Sequence, residues 1–128
     1  MLVQAVSAAF TMATFKGEKG QRDIQRIRID TATFFTILSS EVLFEIGAFP
    51  KDLRARLDLD HRDSLEAQVY SVVVSAHGRE EVTLAVTFEG AHRVLGAKFL
   101  EDLGLKVDSD SGILEPARHR GFAYSYEP

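Results

Sequence analysis

RIDTATFFTIL, residues 28–38, sets a carboxylate, Asp30, at the end of an apolar β-type run, then small residues, then Phe, Phe, Thr, Ile, Leu. A buried strand normally excludes an unpaired charge, because taking a carboxylate out of water costs far more than a neighbouring methyl group returns. The stretch therefore predicts a strand ending at Asp30, a turn through Thr31, Ala32 and Thr33, and an apolar strand over Phe34, Phe35, Thr36, Ile37 and Leu38.

Outward from it, strands dominate. AAFTMATF, the turn KGEKGQ and RDIQRIRI predict a hairpin, with Ile24, Ile27 and Ile29 in imperfect alternation. LEAQVYSVVVSA and EEVTLAVTFEG flank His77-Gly78-Arg79 and predict a second hairpin. Only SSEVLFEIG and GAKFLEDLG have helical spacing. Each begins with small residues, runs about two turns and stops at a Gly suited to the left-handed position after a helix.

These two helical segments belong to an internal repeat. ILSSEVLFEIG (37–47) and VLGAKFLEDLG (94–104) match in character without gaps, pairing Ile37 with Val94, Leu38 with Leu95, Ser39 with Gly96 and Gly47 with Gly104. Each copy follows a hairpin, so the repeating unit is hairpin, loop, apolar strand, short helix.

Composition narrows the classes. A chain of 128 residues with 45% apolar content supports one domain with its own core. Having no cysteine, it forms no disulfide and has no thiol nucleophile. The net charge of −4 is spread along the chain, which argues against nucleic acid. The start MLVQAVSAAF has no basic n-region, and no apolar run reaches the roughly 20 residues of a membrane span. The expected setting is cytoplasmic and soluble.

The duplicated unit, with Asp30-Thr31-Ala32-Thr33 before the first apolar strand and Val94-Leu95-Gly96 before the second helix, resembles the retropepsin-like (retroviral-type) aspartic proteases over roughly residues 8–116. The resemblance implies an all-β fold, a closed barrel with an internal pseudo-two-fold repeat and one or two short helices, as a single domain. Its parts would be repeat 1 over about 8–47, a flap over about 54–70, repeat 2 over about 70–104 and C-terminal strands over 105–128. It also implies homodimeric aspartic peptidase activity on extended peptides or proteins, with no cofactor and no metal.

Peptide hydrolysis by carboxylates uses two of them sharing one proton, one acting as base for water while the other polarises the scissile carbonyl. The second repeat has EGAHRVLG at the equivalent place and no Asp-Thr pair. Two copies meeting about a two-fold axis would bring Asp30 against its own mate. The pair would titrate as a unit and favour acidic or mildly acidic pH. By the same resemblance Thr31 would hydrogen-bond across the axis; an ordinary turn threonine is the alternative. Ala32 stands where the family carries Gly, and its Cβ restricts φ and crowds the approach of a substrate.

The segment RARLDLDHRDSLEAQVY has apolar residues on both sides of a polar tip. By position it resembles the substrate-covering flap, with Leu59, Asp60, His61, Arg62, Asp63 and Leu65 as its substrate-facing residues; a solvated surface hairpin is the alternative. Phe34, Leu57, Leu59, Leu65 and the strand leading to Leu95 would line the pockets. Asp58 and Asp60 have the opening spacing of a calcium loop, but Arg62 occupies the next ligand place and the Gly is missing. His77, His92 and His119 are isolated and read as surface residues. Phe122, Tyr124 and Tyr126 share one face at strand period and predict a terminal strand packed on a partner chain or on LVQAV; base stacking beside Arg118 and Arg120 is the alternative, disfavoured by the net acidic charge. Two other functions fit the same residues: a catalytically silent dimerisation or peptide-binding module, and an unrelated small β-barrel in which Asp30 is a capped surface carboxylate.

Overall fold

The computed structural model describes residues 9–58 and 64–117. β1 (Ala9–Lys16) and β2 (Gln21–Ile29) form an antiparallel hairpin that buries Ala13 and Phe15 from one strand and Ile24, Ile27 and Ile29 from the other. The imperfect spacing of the isoleucines has a structural cause. Thr11 pairs with Ile27 but Ala13 with Ile24, so Gln25 and Arg26 together oppose Met12; this bulge returns both isoleucines to the core face.

β4 (Phe49–Leu57), β5 (Leu65–Ala76) and β6 (Arg79–Val86) follow as an antiparallel meander. His77 and Gly78 close β5 to β6 with φ of 53° and 75°, the two-residue turn whose twist suits the flanking strands. β6 stops at Val86, short of the expected Gly90, because the Ala91 N–H turns back to the carbonyl of Phe88. Along β4 the register breaks between Pro50 and Arg54, where the Gln68 side-chain amide donates to the carbonyls of Lys51 and Leu53 in place of the ladder.

α1 (Ser40–Ile46) and α2 (Ala97–Leu103) are the two short helices, at the 57-residue offset of the sequence repeat. Ser39 caps α1 by accepting from the Val42 N–H at 3.2 Å. Gly47 and Gly104 end the helices at φ of 71° and 67°, where a Cβ is disfavoured.

The strand that should span residues 34–38 is shorter than its sequence suggests. Only Thr36–Ile37 (β3) pairs, matched in the second repeat by Val94–Leu95 (β7). Phe34 is 51% exposed, because the carbonyls around it are turned towards α2 rather than to a strand.

The sheet order is β1-β2-β7-β3-β6-β5-β4, with β1 pairing also to β5. Two pairings are parallel, β2 with β7 and β3 with β6, so the hairpin of each repeat holds the short apolar strand of the other. β8 (Leu105–Val107) and β9 (Leu114–Pro116) make a separate two-stranded sheet. Among the described residues the fold is thus predominantly β with two short helices.

Phe15, Leu38, Ile46, Leu95 and Phe99, drawn from both repeats, are fully buried in one core, each such side chain worth about 1.5–3 kcal/mol of transfer free energy. A smaller cluster of Ala55, Ala67, Val69 and Val86 carries Phe35, Ile37, Leu57 and Leu65 at its edge. No helix among the described residues is long and apolar enough to cross a membrane.

Candidate active site

Asp30 follows the last residue of β2, and its N–H donates to the Leu95 carbonyl at 2.9 Å, extending the parallel ladder with β7 by one bond. The chain then turns. Asp30 Oδ1 accepts from the Ala32 N–H at 3.0 Å, Oδ2 accepts from the Thr33 hydroxyl at 3.0 Å, and the Thr33 N–H returns to the Asp30 carbonyl at 3.2 Å. Aspartate forms such side-chain turns because its short carboxylate reaches the backbone two residues on. The half-buried acid at the strand end is therefore satisfied by its own loop, which is why the strand can end on it.

Thr31 and Ala32 are exposed at the loop tip. Among the described residues His77 is the one non-glycine with positive φ, so Ala32 occupies backbone space open to any L-residue. The expected restriction of φ at Ala32 does not arise in this loop.

The loop is seated on the second repeat. α2 has no side-chain cap at Gly96; instead the Thr33 carbonyl accepts from the Ala97 N–H at 2.7 Å and the Phe34 carbonyl from the Lys98 N–H at 3.0 Å. Amides of a first helical turn have no partner inside the helix, and here the Asp30 loop supplies them. The contact is close enough to demand glycine: a Cβ on Gly96 would stand 2.5 Å from the Phe34 carbonyl oxygen and nearer still to that of Phe35. Gly96 N–H in turn donates to Thr36 Oγ1 at 3.2 Å, and Thr36 is fully buried. The structure thus brings Asp30, Thr33, Phe34 and Thr36 against Leu95, Gly96 and Ala97.

Val94 and Leu95 are buried, so Leu95 cannot line a surface pocket; its side chain belongs to the main core. Leu57 and Leu65 pair across β4 and β5 at the end nearest their connecting loop and share the smaller apolar cluster with Phe35 and Ile37, which ties that end of the hairpin to the segment after Asp30. Leu59, Asp60, His61, Arg62 and Asp63 lie outside the described residues, as do His119, the Phe122, Tyr124 and Tyr126 face and LVQAV. Phe34 stacks edge-on against Phe35 with ring centroids 5.0 Å apart and stays half in solvent.

His77 and His92 are exposed, and among the described residues no three His, Asp or Glu side chains are grouped as metal ligands. A cavity of about 430 Å³ lies elsewhere, bordered by Lys19, Leu43, Phe44, Pro50 and Tyr70, and no residue of the Asp30 loop reaches it.

Sequence reasoning missed the role of Thr36. Its signal was a lone hydroxyl inside the apolar run FFTIL, where a β-branched polar residue costs free energy unless it is hydrogen-bonded. No family model and no curated protein matches this sequence.

Proposed function

We propose that the chain works as a homodimeric aspartic endopeptidase in which Asp30 from two copies forms the catalytic dyad. One observation carries the proposal. A carboxylate with one donor on each oxygen stands in a loop with exposed tip residues Thr31 and Ala32, and that loop is fixed by main-chain bonds to the second repeat. Preorganisation of this kind is what acid–base catalysis by side chains needs.

One chain supplies one such carboxylate, since Thr87 occupies the place 57 residues beyond Asp30. A two-fold contact through the loop tips would supply the other. The ionised member would take a proton from water as the oxygen attacks the scissile carbonyl, and the protonated member would donate to the carbonyl oxygen. Collapse of the tetrahedral intermediate breaks the C–N bond, with the proton passing to the leaving amine. The pairing of β1 with both β2 and β5 supports treating the sheet as a closed retropepsin-like barrel, with the β4–β5 hairpin in the place of a flap.

The test is cleavage of a denatured protein pool from pH 3 to 7 by the wild type and by Asp30→Asn, with oligomeric state followed by sedimentation. Cleavage strongest at acidic pH, carried by the dimer and lost in Asp30→Asn with the dimer intact, is the expected result. A wild type that dimerises and binds extended peptides but cuts none at any pH would instead be a silent peptide-binding module.

A further inference from the structure

Arg28 is the next-to-last residue of β2, and Asp30 follows the strand's last residue with its N–H still bonded to Leu95, so alternation carried one residue past β2 sets the two on the same face with Cα atoms about 6.5 Å apart. Arg28 is exposed, and among the described residues neither it nor Arg26 forms an ion pair. Its cross-strand neighbours are Phe10 in β1 and Val94 in β7. The bulge at Gln25 and Arg26 lets the Arg26 guanidinium lie over the Phe10 ring, 3.8 Å from its centroid. Beside Asp30 there is consequently a surface with an aromatic floor and two guanidinium groups that, among the described residues, no carboxylate pairs within salt-bridge distance. Asp23, on the same strand, is held by the Thr14 hydroxyl at 2.7 Å.

The placement runs against the chain's overall charge. A net −4 repels acidic peptides, so unpaired cations next to the candidate dyad invert the local preference. We propose that Arg28, with Arg26 beside it, selects extended peptides that carry an acidic side chain next to the scissile bond; this rests on the assignment of Asp30 to the dyad. Residues of an extended peptide are spaced like those of β2, so a side chain flanking the bond over Asp30 falls above Arg28. A guanidinium binds a carboxylate through two parallel N–H···O bonds, and a neutral side chain in the same place leaves those donors unpaired.

Binding tests this without requiring cleavage. An array of octapeptides with randomised apolar positions and Glu, Gln or Lys at one fixed central position is probed with the labelled full-length Asp30→Asn chain, alone or with Arg28→Gln or Arg28→Glu added. Glu peptides should bind about five- to tenfold more tightly than Gln peptides, between the small worth of an exposed ion pair and the larger one of a desolvated charge-assisted bond. Arg28→Gln should erase the difference, and Arg28→Glu should shift preference to Lys, with circular dichroism unchanged in both. Equal binding of Glu and Gln peptides, a preference that survives Arg28→Gln, or no binding of any peptide overturns the assignment. Failure of the wild type to cut would remove the peptidase assignment while leaving this selectivity measurable.

Discussion

The N–H of Gly96 donates to the hydroxyl oxygen of Thr36 across 60 residues of sequence, and both residues are buried. The bond joins the strand of the first repeat to the start of the helix of the second, directly beneath the loop that carries Asp30.

Replacing Thr36 by Val should cost about 1–3 kcal/mol, since the shape is kept but a buried N–H loses its acceptor. Thr36→Ser should recover part of the loss by restoring the oxygen. Urea unfolding of the two variants reads the difference directly.

Gly96→Ala should cost about 1–3 kcal/mol by forcing the Phe34 and Phe35 carbonyls away from the new methyl group. Because those carbonyls anchor the loop, the amide resonances of Ala32 and Thr33 should shift as well. A stability loss with unmoved loop resonances would show that the strain is absorbed in α2 instead.

Arg79 donates to the carbonyls of Leu103 and Gly104 at 2.8 and 3.0 Å, closing the C-terminal end of α2 with a cation where the helix dipole favours one. Arg79→Gln should lower stability by about 1–2 kcal/mol. Hydrogen exchange should quicken first in α2 rather than in the β1–β2 hairpin.

Thr83 is buried on β6 with a hydroxyl that has no protein partner among the described residues. Thr83→Val removes that unsatisfied group at constant shape and should be neutral or stabilising by up to about 1 kcal/mol. A marked loss in thermal unfolding would reveal a partner for the hydroxyl.

Glu80 accepts from the Ser75 hydroxyl at 2.7 Å and pairs with Lys16 at 3.4 Å, and these contacts, Ser75 foremost, hold its carboxyl below the ordinary 4.5. A depressed folded-state value means stabilisation that is present above the unfolded value and lost as pH falls through the folded one. Glu80→Gln should therefore unfold at lower urea than the wild type at neutral pH, and the two curves should converge as the solution is acidified well below 4.5.

Much of the fold was legible because its signals are local. Ser39 and Gly47 bracket α1, Gly96 and Gly104 bracket α2, and His77-Gly78 marks a tight turn; each is a backbone requirement written in one or two residues. The extent of the strand after Asp30 was not legible, because Phe34 and Phe35 have strand-like side chains while the fate of their carbonyls is set by a helix more than 60 residues away. The parallel pairings of Arg28 with Val94 and Thr36 with Ala85 likewise leave no local mark. At the site, the Asp-Thr-Ala-Thr run identified the turn, but that Ala32 needs no positive φ is a property of the folded backbone.

The exchange of short strands between the repeats bears on how the chain assembles. Neither half, taken alone, can complete its own hydrogen-bond ladder, so fragments 9–58 and 64–117 should each stay unfolded in isolation and recover structure when mixed. Formation of the native topology must then await closure between distant segments, which places this small domain among slow folders.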